Sequence, residues 1–486
     1  MFQSILILPL IGMLAILIIP RDEIRRLCQV GLEWSVFSLT GPLILWSYFD
    51  GEVQFKVGNR FEWIYSVEPG FGWVVFGVDG ISIWLIILTA LLIPCCVLIS
   101  FQSIKFLIKE FFLCLFFLEE LLIGVFTVLD FVCFYLLFEG ILIPMFLIIG
   151  LWGSREEKVR ASYYFWIYTF LGSVLMLLGI FTLYDKAGST DYQILGCFKI
   201  EKVFQYWVFL GFFISFAIKI PQIPFHLWLP QAHVEAPVAG SVILAGVLLK
   251  LGGYGFIRVL WPLFPDASEY FSPLIITLSL LAIIYGGLTT CRQVDLKRTI
   301  AYSSVAHMGL VTLGIFSHTI QGLVAAIFLM LAHGLVSSAL FLAITFLYDR
   351  YCTRLIKYYR GMVITMPLFG MFFFLLVLAN ASIPLSGSFI GEWISLLAAF
   401  ELSIIAVLVA STGIVISAVS SIYVYNRIGF GVFSKSIYFS RDLNRRELTS
   451  LWPLVILIVF IGVFPFLVIE VVKGALLFQE GEYLFQ

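Results

Sequence analysis

Long apolar runs separated by short polar segments dominate the pattern of residues along this chain. A run of about 20 apolar residues is the length that a membrane-spanning helix requires. The runs predict fourteen spans, at residues 2–20, 30–49, 80–101, 110–129, 131–151, 161–184, 205–229, 237–262, 271–290, 299–317, 319–347, 366–400, 402–426 and 451–473. The predicted fold class is therefore all-α, a polytopic membrane protein.

Proline interrupts two of the predicted spans in a similar way. Lys219-Ile-Pro221 breaks the seventh span, and Ser382-Ile-Pro384 breaks the twelfth. The broken helices stand five positions apart in the order of spans, an odd number, so the halves that contain them would cross the membrane in opposite directions. Interrupted helices in corresponding halves mark the binding region of inverted-repeat transporters.

The repeat predicts a division of the chain into four parts around two inverted five-helix repeats. The parts are 1–109 with helices 1–3, 110–262 as the first repeat, 271–426 as the second repeat, and 427–486 with the last helix. The longest early loop, residues 50–78, is rich in glycine and aromatic residues and is compatible with a small hairpin.

Lysine and arginine are distributed unevenly between the two sets of loops. Loops after odd-numbered spans hold 20 of the 29 basic residues. Loops after even-numbered spans and the C-terminal tail hold only Lys56, Arg60, Lys186, Lys199, Lys202 and Lys473. Basic loops stay on the cytoplasmic or matrix side of a membrane. Both termini are therefore predicted on the opposite side.

Composition agrees with the membrane class and limits the function. The chain is 61% hydrophobic, with a mean hydropathy of +1.06, and only 12% of its residues are charged, against about 25% in soluble domains. The net charge of −1 gives no indication of a nucleic-acid partner. The eight cysteines include no C-x-x-C pair, so no metal or iron–sulfur site is predicted.

Charged residues inside apolar spans are the main candidates for chemistry, because burying a charge in a membrane is costly. Lys219 and Lys250 lie within spans, and Glu139 lies about 13 Å below Asp130, near the middle of the membrane. Burial disfavours the charged forms of Glu139 and Lys219, whereas pairing favours them. A pair that forms and separates would act as a proton switch. The alternative is a permanent ion pair that holds helices together.

Further polar residues extend this set of candidates through both halves. The candidates for proton transfer are Glu139, Lys219, Lys250, Glu392, His333, His307, Glu119 and His226. A packing role for His307 is an equal alternative. Arg258, near the end of a span, is expected to extend to the membrane surface. Glu120 points about 100° away from Glu119 on a helix, so it is expected to face elsewhere.

Several of these residues stand in motifs that are similar to a known family. The segment Lys219-Ile-Pro-Gln-Ile-Pro-Phe-His-Leu-Trp-Leu-Pro-Gln-Ala-His-Val-Glu-Ala-Pro resembles the core of the proton-translocating, antiporter-like membrane subunits of respiratory complex I. Shorter matches are Phe-Glu139-Gly-Ile-Leu-Ile-Pro, Tyr-Ser-Ser-Val-Ala-His307-Met, His333-Gly-Leu-Val-Ser-Ser and Ser-Phe-Ile-Gly-Glu392. The resemblance covers roughly residues 75–430, and residues 1–60 match poorly.

The resemblance implies a function that the residues alone do not specify. By that likeness Glu139, Lys219, Lys250 and Glu392 are pumping positions, and Glu119 matches a further membrane glutamate of the family. The chain would be a subunit of the H⁺-translocating NADH:ubiquinone reductase of the mitochondrial inner membrane, with both termini toward the intermembrane space. FMN, iron–sulfur clusters and ubiquinone are expected in partner subunits and no cofactor on this chain. The expected partners are membrane-arm subunits, including antiporter-like neighbours, and lipids.

Two other functions remain open at this point. One is an Mrp-type monovalent cation/proton antiporter subunit, which Na⁺-dependent transport would indicate. The other is a membrane scaffold whose buried charges only hold helices together. The C-terminal tail after about residue 473 is short, which argues against the larger family member with a long lateral helix.

Overall fold

Helices account for most of the chain in the computed structural model, which describes residues 2–49, 56–62, 73–198, 200–432 and 441–483. Within these ranges, nine helical segments are long and apolar enough to cross a membrane. They are Ser82–Ser103, Phe131–Trp152, Lys158–Ala187, Lys202–Lys219, Val238–Leu263, Pro265–Arg292, Ile320–Tyr351, Ile404–Gly429 and Arg445–Val463. The prediction of an all-α membrane protein is confirmed.

The first part of the chain contains nine helices and a small hairpin. The helices are α1 (Phe2–Ile18), α2 (Ile24–Ser47), α3 (Ser82–Ser103), α4 (Ile108–Thr127), α5 (Phe131–Gly140), α6 (Leu142–Trp152), α7 (Lys158–Ala187), α8 (Tyr192–Cys197) and α9 (Lys202–Lys219). Strands β1 (Lys56–Glu62) and β2 (Trp73–Val78) pair antiparallel. The hairpin expected between 50 and 78 is thus confirmed, and residues 50–55 and 63–72 lie outside the described ranges.

The rest of the chain continues as helices. They are α10 (Trp228–Glu235), α11 (Val238–Ile243), α12 (Leu249–Gly255), α13 (Trp261–Leu263), α14 (Pro265–Arg292), α15 (Leu296–Ile315), α16 (Ile320–Tyr351), α17 (Met362–Thr365), α18 (Pro367–Asn380), α19 (Gly387–Leu402), α20 (Ile404–Gly429), α21 (Arg445–Val463) and α22 (Phe466–Tyr483). Two π-helical turns, Leu244–Leu248 and Phe256–Leu260, join α11, α12 and α13 into one continuous rod.

Both proline-marked interruptions are present. Helix α9 ends at Lys219 before Pro221, and the chain becomes helical again at Phe225. Helix α18 ends at Asn380 before Pro384, and α19 begins at Gly387. Proline lacks the N–H that a continuing helix needs, and its ring clashes with the preceding turn. Each interruption therefore leaves a helix end inside an apolar region.

Two helical segments form the centre of the molecule. The most apolar 18-residue stretches of Val238–Leu263 and of α16 are completely buried, whereas those of the other seven candidate spans are 28–72% buried. The central segments carry Lys250 and His333 respectively. The other helices surround them, so groups on these two segments are shielded from solvent and lipid.

The loops form two separate groups of contacts. Loops after odd-numbered spans contact one another, and so do loops after even-numbered spans. On the first, which we call the basic face, Arg354 donates hydrogen bonds to the Val234 carbonyl and to Ser154 Oγ, and Leu296 N donates to the Arg354 carbonyl. On the second, the opposite face, Leu129 N donates to the Val75 carbonyl. The exact number of spans and the side of the membrane on which each face lies stay predictions.

Two sequence-based expectations are wrong. Arg258 does not extend to the surface: its side chain is 7% exposed and forms an ion pair with Asp79 on the opposite face. Asp79 precedes α3 and lies far from Arg258 in the sequence, so the pattern of one span could not reveal it. The run at 451–473 is not one helix, because α21 ends before Pro465 and α22 begins after it.

Removing the carboxylate of Asp79 is expected to destabilise the protein. An Asp79→Ala variant would leave the buried guanidinium of Arg258 without its anion, at a cost of about 3–5 kcal/mol. Thermal unfolding of the assembled complex measures this loss, with the exposed Asp22→Ala as control. An unchanged unfolding temperature for Asp79→Ala would contradict the stabilising role of the pair.

Candidate functional site

The site centres on Lys250, which is completely buried on α12 immediately after a π-helical turn. Its ammonium donates a hydrogen bond to the Ala245 carbonyl and lies 3.0 Å from Nδ1 of His333 on α16. Glycine permits this approach: a Cβ at Gly334 would lie 3.0 Å from the Gly246 carbonyl oxygen. The two central segments are therefore close enough for lysine and histidine to exchange a proton.

The contacts continue from His333 into the second half of the chain. The rings of His333 and His307 have centroids 5.5 Å apart, and His307 Nδ1 lies 2.8 Å from Oε1 of Glu392 on α19. A Cβ at Gly391 would lie 2.9 Å from the Leu329 Cα, so glycine also lets α19 pack closely on α16. We call Lys250, His333, His307 and Glu392 the central polar chain.

Every member of the central polar chain is buried. Lys250 is 0% exposed, and the other three residues are 3–4% exposed. Their arrangement places a basic group at one end, two imidazoles between, and a carboxyl group at the other end. Imidazole can both accept and donate a proton. The chain can therefore pass a proton between its ends by successive transfers, with water completing any gap between the rings.

Glu139 and Lys219 are neighbours but do not form a direct ion pair. Lys219 Nζ lies 4.2 Å from the centroid of the Phe138 ring, and it has no hydrogen-bond partner among the described residues. In the part of the chain that the structure describes, no carboxylate lies within 4.0 Å of it. A desolvated ammonium over an aromatic face gains about 2 kcal/mol. Lys219 and Glu139 are thus not in direct contact, and a proton switch formed by the two stays a prediction.

The remaining predicted residues lie apart from the central polar chain. Glu119 is buried on α4 and accepts a hydrogen bond from Ser38 of α2 at 2.8 Å, and Glu120 beside it is less buried, as expected. The His226 ring follows the first interruption and packs edge-on against Tyr285, with centroids 5.8 Å apart. Roles in proton transfer for these residues stay predictions.

The sequence gives no direct signal for several buried charged residues near the ends of the spans. The pair of Asp79 and Arg258 is one case, and Lys297 on the basic face is another, since it is only 3% exposed. A lysine in the segment Asp-Leu-Lys297-Arg resembles any basic loop residue. Contacts from distant loops bury it, which one sequence alone does not indicate.

The described residues contain no group of three or more His, Cys, Asp or Glu side chains that could hold a metal ion. The site is built from ammonium, imidazole and carboxyl groups on helices α9, α12, α15, α16 and α19. The expectation that this chain itself carries no cofactor stays a prediction.

Comparison with known proteins gives a consistent result over nearly the whole chain. Residues 129–417 match the family model described as NADH:quinone oxidoreductase/Mrp antiporter, TM. A relative from Metridium senile named NADH-ubiquinone oxidoreductase chain 4 is 62% identical, with 98% of each chain covered. One of the same name from Arabidopsis thaliana is 44% identical, covering 99% of this chain and 97% of the relative.

Solved structures share the fold. A chain of respiratory complex I from Thermus thermophilus with bound NADH is 28% identical, covers 99% of both chains and has a TM-score of 0.89. A chain of the Mrp complex from Dietzia sp. DQ12-45-1b is 19% identical, with 97% of this chain and 96% of that chain covered and a TM-score of 0.86. The second likeness shows the fold alone. The Val-Glu-Ala-Pro-Val-Ala-Gly-Ser form of the motif indicates chain 4 within the family, and the relatives' names agree.

Proposed function

Because this chain belongs to the NADH:quinone oxidoreductase/Mrp antiporter membrane family, among the relatives named NADH-ubiquinone oxidoreductase chain 4, we propose that it translocates protons within respiratory complex I. The observation that carries the proposal is the buried central polar chain, in which lysine, two histidines and glutamate from four helices follow one another. Electron transfer in partner subunits drives the transport, and this chain acts as one subunit of the NADH:ubiquinone reductase.

In this proposal, the two interruptions belong to two inverted repeats at about 110–262 and 271–426 within a fourteen-span chain. The support is the correspondence between the helix ends at Lys219 and at Asn380, each followed by a return to helix. Lys219 and Glu139 form the switch of the first half, and Lys250 connects it to Glu392 in the second half. Neighbouring membrane-arm subunits and lipids contact the outer helices, whose exposed apolar side chains include Leu171, Leu178 and Ile405.

The choice between proton pumping and Mrp-type cation exchange has a direct test. The names of the relatives favour complex I, and the central polar chain contains groups that bind protons. Purified complex in liposomes is expected to form the same pH gradient on NADH addition whether or not Na⁺ is present. A gradient that requires Na⁺, with choline as the control cation, would favour the exchange mechanism.

Orientation in the membrane is a second expected outcome. The 20-to-6 division of basic loop residues places the basic face in the matrix and both termini in the intermembrane space. Tags at the two ends should become sensitive to protease when only the outer membrane is opened. A tag in the loop near Lys357 should stay protected, and the reverse pattern would contradict this topology.

A further inference from the structure

A polar cavity opens on the basic face, outside the central polar chain. Its volume is about 340 Å³, and its lining includes Arg155, Glu157, Arg160, Gln231, Glu235 and Arg298. The side chain of Glu235 is 8% exposed, and its Oε2 has no hydrogen-bond partner in the described part of the chain. The other carboxylate oxygen, Oε1, lies 4.0 Å from Arg155 Nη1, so one oxygen of Glu235 faces a guanidinium and the other has no protein partner within the described ranges.

Lys297 lies at the start of α15, before the apolar run that begins at residue 299 and next to Arg298, which lines the cavity. Its ammonium donates hydrogen bonds to the Ala236 carbonyl at 2.9 Å and to Ser241 Oγ at 3.5 Å. Among the ion pairs of the described residues, Lys297 forms none within 4.0 Å. It is therefore a buried lysine held by Ala236, which directly follows the cavity residue Glu235, and by Ser241.

The surroundings of Lys297 also favour exchange of its proton. Burial and the nearby Arg354 lower the pKa of Lys297 to about 7. Asp295 and Glu235 oppose this change, and Arg155 adds to it. An ordinary lysine has a pKa near 10.4 and stays charged at neutral pH. Near pH 7 Lys297 therefore exists in both forms, which a residue that accepts and releases protons requires.

His233 lies between Lys297 and the central polar chain. Its carbonyl accepts a hydrogen bond from Ser241 Oγ at 3.1 Å, and its ring stacks on Phe341 with centroids 4.7 Å apart. Both ring nitrogens are buried without a protein partner among the described residues. Burial and the charges of Lys297 and Lys250 lower the pKa of His233 to about 3, so the neutral ring predominates near pH 7. Buried polar atoms are almost always hydrogen-bonded to protein or water, so water is the partner available to this ring.

We infer that Lys297 is a further proton-carrying residue, which takes protons from the cavity at Glu235 and passes them through His233 to Lys250 and His333. The inference rests on the proposed function and adds an uptake route on the basic face. In the first step, a proton from water in the cavity binds the Glu235 carboxylate and forms an O–H bond. That O–H bond then breaks as an N–H bond forms on neutral Lys297. The ammonium then releases its proton through water to the neutral His233 ring, and the imidazolium passes it toward Lys250.

The alternative role is structural, because the hydrogen bond from Lys297 to the Ala236 carbonyl also holds the start of α11 in place. Lys297→Arg separates the two roles, since arginine keeps the charge and the hydrogen bonds but does not release its proton. If Lys297 carries protons, the assembled Lys297→Arg complex should pump at a rate lower by about tenfold or more. Full pumping by this variant would overturn the inference and leave the structural role.

A second variant tests the chemistry directly. In Lys297→Ala complex, pumping should fall by a similar factor, and added methylamine should restore part of it by supplying the missing base from the cavity. Exposed Lys357→Ala, on the same face, should pump normally and should not respond to the amine. No response of assembled Lys297→Ala to methylamine would contradict the inference.

The inference can fail while the proposed function holds. If Lys219→Ala stops pumping but Lys297→Arg does not, protons reach the central polar chain by another route. If neither variant changes pumping, the proposed function fails as well. If the Lys297 variants do not assemble, a high-resolution map of the unmodified complex provides the test. Water density is expected to connect Lys297 Nζ with the His233 ring. A closed gap without water would overturn the route.

Discussion

Replacing Lys219 with alanine is expected to abolish most proton pumping through this subunit and to slow NADH oxidation in the coupled complex. Lys219 is 2% exposed, and its ammonium lies over the Phe138 ring rather than in a direct ion pair. In the proposed switch, the proton affinity of Lys219 depends on whether Glu139 approaches, which alanine cannot reproduce. Losing a positioned proton donor typically costs about 10²–10⁴-fold, so pumping should fall at least tenfold. Proteoliposomes with a pH-sensitive dye measure it.

The same helix supplies a matched control for this experiment. Lys202, at the start of α9, is 72% exposed and pairs with Asp266 on the surface. Lys202→Ala removes the same functional group from the same helix and should leave pumping and assembly unchanged. A Lys219→Ala complex that assembles and pumps with normal stoichiometry would show that the buried lysine only stabilises the helix end.

The sequence predicts the features of this fold that depend on local pattern. The apolar runs are long enough to indicate helices across a membrane, and the prolines at 221 and 384 identify where two of them stop. The burial of Lys219 and Lys250 can also be predicted locally, because both residues stand within apolar runs. The fold class and most candidate residues therefore follow from one sequence.

Features that depend on distant contacts do not follow from the sequence. Arg258 is buried because Asp79, before α3, reaches it from another loop. The contact of His307 with Glu392 at 2.8 Å is a further case, because one sequence does not indicate which residue a buried histidine contacts. The separation of Glu139 from Lys219 also depends on how α5 and α9 pack. Local pattern indicates burial only for groups inside apolar runs, whereas the burial of Arg258 and the contacts between buried groups come from the packing of helices.

Glu392→Gln is expected to block transfer at the far end of the central polar chain. Glutamine has almost the same shape and can still hydrogen-bond to His307, but it neither binds nor releases a proton. The present contact is 2.8 Å and both side chains are 4% exposed. Glutamine removes the group that binds and releases the proton, so pumping should fall by about tenfold or more.

Glu401→Gln is the control, because Glu401 is an exposed residue on the same helix, α19. It should leave both pumping and thermal stability unchanged. A structural role for Glu392 predicts a different result: Glu392→Gln would lower the unfolding temperature of the complex while the number of protons pumped per NADH stayed normal. A transfer role predicts the reverse, since the amide preserves the packing of His307 but not the proton. The two measurements together therefore separate a relay from a buried contact that only holds α15 and α19 together.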